Sequence, residues 1–191
     1  SGTSFLARAF NLRGIFLGNS QELVSDDWRS FDDNLRGHWE HKKILELNEA
    51  ILENSGGSWD NIPTEIHSNE KITHDMQQFL DELQNYHSLG AGIKDPRFLI
   101  CFELWLNHLP KDFLIVGIYR DPLKVAESLK KRNGFDYEKS IKLWKTYNQK
   151  LLQLLDNHTG FLLNFDWKQE KILQEIDLIC DKLGLSTNIK L

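Results

Sequence analysis

The sequence predicts an α/β protein of three layers, with a mainly parallel central sheet flanked by helices. Three short apolar runs carry this prediction: GAGIKDP at 90–96, FLIVGIYR at 113–120 and FLLNFD at 161–166. None alternates apolar with polar residues, which is the pattern of strands covered on both faces. Helical periodicity flanks each run, and strands that alternate with helices join as βαβ units in a parallel sheet. At 191 residues the chain is long enough for one such domain, so a single domain over 1–191 is expected.

The helices follow in order. Residues 3–13 place Phe5, Leu6, Ala9, Phe10 and Arg13 at helical spacings, and Gly14 is the expected stop. From Glu40 to Asn54, Ile44, Leu47 and Ile51 share one face before the Gly56-Gly57 break. A third helix over 71–86 turns Ile72, Met76, Phe79, Leu80 and Leu83 inward, and a strongly apolar fourth covers 97–109. Pro122 suits the first turn of a helix that ends near Arg132, with Asp121 as its N-cap. A long helix covers 136–157, and the last, over 168–183, ends at Gly184. Residues 18–37 and 55–70 are polar and turn-rich, and connections of that length in a compact domain are usually functional loops.

Charge is uneven along the chain. The net charge is −5, but residues 1–93 carry 7 basic and 15 acidic side chains, residues 94–150 carry 12 and 7, and residues 151–191 carry 4 and 6. An acidic protein is a poor generic binder of nucleic acid, whereas its basic middle third suits a small polyanion. No apolar run approaches the ~20 residues that cross a bilayer. Cys101 and Cys180 lie in apolar helical patterns without metal-ligand spacing, so both are read as buried free thiols in a reducing, cytoplasmic compartment. The chain opens on Ser1 without a signal-peptide pattern, and a segment upstream of it is expected.

Two motifs carry chemistry. Ser1-Gly2-Thr3-Ser4 runs directly into an apolar helix: a glycine permits close backbone approach, helix N-terminal amides attract an anion, and hydroxyls add donors. The same residues also suit ordinary capping by Thr3 or Ser4. Arg120 ends the second apolar run, at the strand edge where open parallel sheets bind ligands, and Ser128 lies on the following helix. An Arg fork makes two parallel bonds to a phosphate, although Arg120 could equally pair with Asp121 at the surface.

Together these features resemble the sulfotransferases that use 3′-phosphoadenosine 5′-phosphosulfate (PAPS). That family has a Ser-Gly-Thr-Ser/Thr loop opening a helix, a strand ending in Ile-Lys, and a strand-end Arg with a Ser eight positions on. The chain supplies Ser1 to Ser4, Ile93-Lys94, and Arg120 with Ser128, in that order. The segments GHWEH, LNEAIL, GGSW, KDPR, YRDPLKVAESLKKRNGF, LWKTYN and FLLNFDW look like a bacterial branch of the superfamily. The resemblance implies a nucleotide-kinase-like (P-loop) sulfotransferase fold and PAPS as the donor. Ser1, Gly2, Thr3 and Ser4 would bind the 5′-phosphosulfate, Arg120 and Ser128 the 3′-phosphate, and Lys94 would lie near the transferring sulfuryl group. The family's basic residue before the loop would precede Ser1, and its C-terminal Arg-Lys-Gly loop has no match here.

An acceptor hydroxyl benefits from a base that takes its proton. Where the cytosolic branch has His, this chain has Pro96, which leaves Glu40, His41 and Asp95 as candidates. Each also has a plain structural use: Glu40 as a favourable charge at a helix start, His41 as a surface residue, Asp95 as a partner of Lys94 or Arg97. Trp144 and Tyr147 are expected in the core, or stacked on a nucleotide base. No metal is expected, since His38 and His41 have no third ligand at short spacing. The implied partner is a small-molecule or carbohydrate acceptor. A kinase using ATP and Mg²⁺ would want a Lys before the final Ser/Thr of the loop, which is absent. A binding module without catalysis is the third reading.

Overall fold

β1 (Ile115–Tyr119) and β2 (Gly160–Asn164) pair in parallel, with Ile115 opposite Gly160 and Tyr119 opposite Asn164. A parallel pair needs a long crossover, supplied here by α5 (Pro122–Asn133) and α6 (Tyr137–Asn157). This computed structural model describes residues 2–24, 38–85 and 90–185. Among them are seven helices and this two-stranded sheet. The chain divides into two compact units, residues 1–13 with 113–191 and residues 14–112.

In the first unit the local signals act where the sequence puts them. Asp121 caps α5 by accepting from the Leu123 and Lys124 amides, Pro122 occupies the first turn, and Gly134 ends the helix in the left-handed region. Asp136 caps α6 by accepting from the Lys139 amide. A Cβ at Gly117 would lie 2.8 Å from Leu151, so the glycine in β1 lets α6 approach the strand closely. α1 (Thr3–Asn11) packs on α7 (Gln169–Lys182), which also meets β2. Leu6, Phe10, Ile118, Leu163, Ile176 and Cys180 are buried in this unit. Arg13, just past α1, is buried too, with its Nε donating to Asp177 Oδ1 at 2.7 Å.

In the second unit α2 (Lys42–Asn54) packs on both α3 (Glu70–Asn85) and α4 (Phe98–Leu106). Ile44, Leu45, Ile51, Met76, Cys101 and Trp105 are almost completely buried. The expected inward face of α3 is buried at Ile72, Met76, Phe79 and Leu80, while Leu83 is half-buried and Tyr86 lies outside the described residues. Residues 55–69 form no helix or strand but are tied to α2, since the His67 amide donates to Ser55 Oγ at 2.8 Å and Asn54 Nδ2 donates to the His67 carbonyl. Of the loop expected over 18–37, residues 25–37 lie outside the described residues.

One expected strand does not form. Residues 90–96 make a single parallel bridge, Ala91 to Phe16, and then turn. Asp95 Oδ1 accepts from the Arg97 amide and Pro96 has no amide proton, so the chain enters α4 instead of extending a ladder. The strand expected to reach residue 166 ends at Asn164, whose side chain accepts from the Asp166 amide. Among the described residues no helix is long and apolar enough to cross a membrane.

Candidate functional site

The expected site residues fall into two clusters, one in each unit. In the first unit Gly2 and Arg120 meet at Phe165, which follows β2. Gly2 precedes α1 with φ 90° in the left-handed region, and no side chain caps the helix. A Cβ on Gly2 would lie 2.5 Å from Phe165 Cδ2, so only glycine fits this approach. The Arg120 guanidinium stands 5.4 Å from the centre of the same ring. Its Nε is buried without a hydrogen-bond partner. An orphaned guanidinium N–H is costly and favours an anion as its missing partner. Thr3 and Ser4 lie in the first turn of α1, so the capping expected of them is taken by Gly2 without a side-chain bond. Ser128 is exposed on α5, one turn beyond Lys124. Ser1 lies outside the described residues.

The turn after β1 is held by Asp166, Lys124 and Trp144. Asp166 Oδ1 receives Lys124 Nζ at 2.5 Å, and its Oδ2 receives the Asp121 amide at 2.6 Å. The Lys124 and Asp121 bonds hold the Asp166 carboxyl below its ordinary pKa, with Arg120 adding to the effect. Trp144 Nε1 donates to the Arg120 carbonyl at 2.8 Å. Trp144 thus uses its polar tip on the β1–α5 turn.

In the second unit the structure brings Glu40, Lys94 and Asp95 together. Lys94 Nζ donates to Glu40 Oε1 at 2.5 Å and to the His38 carbonyl at 2.8 Å. Arg97 Nη1 donates to Asp95 Oδ1 at 2.9 Å and lies 3.7 Å from Glu40 Oε2, while Nη2 lies 3.5 Å from Glu49. Beneath them, Asn48 Nδ2 donates to Asp95 Oδ2 at 3.0 Å, and Asn48 Oδ1 accepts from Trp105 Nε1 at 2.9 Å. Three carboxylates, Glu40, Asp95 and Glu49, therefore surround two cations, Lys94 and Arg97. Burial raises the Asp95 pKa, Arg97 opposes that rise, and Glu40 adds to it. Burial works against the Arg97 charge, but Asp95 and Glu40 outweigh it and raise that pKa.

His41 is adjacent in sequence but faces another set of groups. Its Nδ1 caps α2 by accepting from the Lys43 amide at 3.2 Å, and its ring packs edge-on against Phe79. Burial lowers its pKa against the pull of Glu22, whose carboxylate lies 3.8 Å from Nε2. Of the candidate bases, Glu40 retains the more open carboxylate oxygen, Oε2, while both Asp95 oxygens accept hydrogen bonds.

Arg97 appears in the sequence only as a possible partner of Asp95, whereas Asn48 carries a visible signal as a polar residue inside the stripe Ile44, Leu47, Ile51. Phe165 and Asp166 are the last two residues of the apolar run 161–166, and the sequence marks neither of them as a site residue. Among the described residues no three His, Cys, Asp or Glu side chains gather as metal ligands. Comparison of this chain with protein-family models, with curated proteins and with solved structures finds no match.

Proposed function

We propose that the chain is a PAPS-dependent sulfotransferase that moves a sulfuryl group in line to an alcohol or sugar hydroxyl. The observation that carries the reading is the convergence of Gly2 and Arg120 on Phe165, beside the carboxyl ends of two parallel strands. Ligands of open α/β sheets gather at that edge, and the unpartnered Arg120 Nε fits a phosphate. A P-loop sulfotransferase fold, with its larger three-layer sheet, belongs to the same reading.

In the reaction, the sulfur–oxygen bond to the 5′-phosphate breaks as a new one forms to the acceptor oxygen. The acceptor's proton passes to a base, leaving a sulfate ester and adenosine 3′,5′-bisphosphate. Gly2, Thr3 and Ser4, with Ser1 before them, take the 5′-phosphosulfate, and Arg120 with Ser128 the 3′-phosphate. Glu40 is the assigned base, Lys94 the cation for the sulfuryl oxygens, and Asp95 the holder of Arg97 beside Glu40. Such transfer depends on alignment and charge stabilisation more than on covalent help.

Calorimetric titration with adenosine 3′,5′-bisphosphate, adenosine 5′-phosphate and ATP with Mg²⁺ tests the reading. Preference for the bisphosphate, lost in Arg120→Ala, is the expected result. No binding of the bisphosphate at millimolar concentration, or tighter binding of ATP with Mg²⁺, would overturn it.

A further inference from the structure

The peptide group between Arg120 and Asp121 is held from both sides. Its carbonyl accepts from Trp144 Nε1 of α6 at 2.8 Å, and its N–H donates to Asp166 Oδ2 at 2.6 Å. A peptide plane has two bonding directions, and here each ends on a side chain from a different part of the unit. The Arg120 Cα lies in this plane, so two bonds that hold the plane also hold the atom from which the arginine side chain departs. Asp166 is in turn steadied by Lys124 Nζ. Phe165, next to Asp166, supplies the ring over which the guanidinium lies.

We infer that Trp144 and Asp166 are positioning residues that clamp the Arg120–Asp121 peptide and so aim Arg120 at the anion it binds. This rests on the proposed PAPS reading for the identity of the anion, but the clamp itself does not. The two side chains lie 24 residues after Arg120 and 45 residues after Asp121, so the local turn alone would not supply them. Without the clamp this plane and the Arg120 Cα in it would shift together with the β1–α5 turn, and the guanidinium would spend part of its time off the ring. An Arg held in place before binding loses less freedom when the phosphate arrives.

The test uses Trp144→Phe, which keeps a ring but loses the N–H, Asp166→Ala, which loses the acceptor, and Asp166→Asn, which keeps an acceptor oxygen without the charge. Two quantities are read for each: the ¹⁵N–¹H heteronuclear NOE of Arg120 Nε in the ligand-free protein, and the ratio of affinities for adenosine 3′,5′-bisphosphate and adenosine 5′-phosphate. Trp144→Phe and Asp166→Ala should lower the NOE and cut the ratio about fivefold, the worth of one net hydrogen bond. Asp166→Asn should restore both. A general loss of packing would weaken both nucleotides equally and leave the ratio unchanged. An NOE unchanged in both disabling variants, or no rescue by Asp166→Asn, overturns the clamp. A lowered NOE, rescued by Asp166→Asn, in a protein whose wild type shows no preference for the bisphosphate supports the clamp and removes the PAPS reading.

Discussion

Asn48→Ala is expected to lower the unfolding free energy by about 4 kcal/mol. Asn48 is completely buried and bridges two groups that are themselves shut off from water, the Trp105 indole N–H and the Asp95 carboxylate. Truncation strands the indole N–H, at about 1–3 kcal/mol, and takes a donor from a buried carboxylate, at about 1.5–3 kcal/mol. A stability of roughly 5–15 kcal/mol makes that a large fraction of the whole. The Asn48 bond lowers the Asp95 pKa, whereas burial has already raised it. Removing the bond raises it further. For a carboxyl raised in the folded state, stability is fullest below about pH 3.9 and declines as the pH rises through the folded-state value. The deficit of Asn48→Ala should therefore grow from pH 4 to pH 8. Urea unfolding followed by fluorescence at several pH values measures it. A loss below about 1 kcal/mol, or one independent of pH, would refute this account of the network.

Lys94→Met should cost about 3–5 kcal/mol in the same assay, because it leaves the Glu40 carboxylate largely buried without its nearest cation; adding Glu40→Leu should recover most of that loss. Gly2→Ala places a Cβ on Phe165 at a positive φ, so calorimetry should show a lowered Tm and weaker binding of adenosine 3′,5′-bisphosphate. Because burial lowers the His41 pKa, the protein should hold its full stability above about pH 6.5 and lose it as the pH falls through the folded-state value. His41→Asn, which keeps a helix cap, should flatten the stability profile between pH 5 and pH 7.

Local chemistry made much of the fold legible. Asp121 and Pro122 open α5 in the sequence as they do in the structure, the helix ends at Asn133 near the expected Arg132, and Gly184 follows α7 as expected. Two of the three apolar runs pair in parallel, with α6 packed on β1 and α7 on β2, although Leu162 of β2 stays exposed. The run at 90–96 misled because its hydrophobicity resembles a strand while Asp95-Pro96-Arg97 carries the geometry of a turn. Contacts made across long stretches of chain were the hardest to read. Asn48 meets Trp105 from 57 residues away, and Asp121 meets Asp166 from 45, with no local spacing to announce either. The pairing of Glu40 with Lys94 has the same character: both residues were candidates, but nothing in the sequence joined them.

Trp39, between His38 and Glu40, is the only non-glycine residue at positive φ among the described residues, at 57°. An aromatic side chain there costs on the order of 1–2 kcal/mol. The groups on either side of it, the His38 carbonyl and the Glu40 carboxylate, close on one ammonium, that of Lys94. The ion pair thus spans the left-handed residue and helps to hold the backbone on both sides of it. Drawing Lys94 away from Glu40 removes one of the contacts that hold residues 38–40 in this shape. Charge at this lysine is in that sense readable in the backbone: the Trp39 amide resonance should move in Lys94→Met and return toward its place in Lys94→Arg.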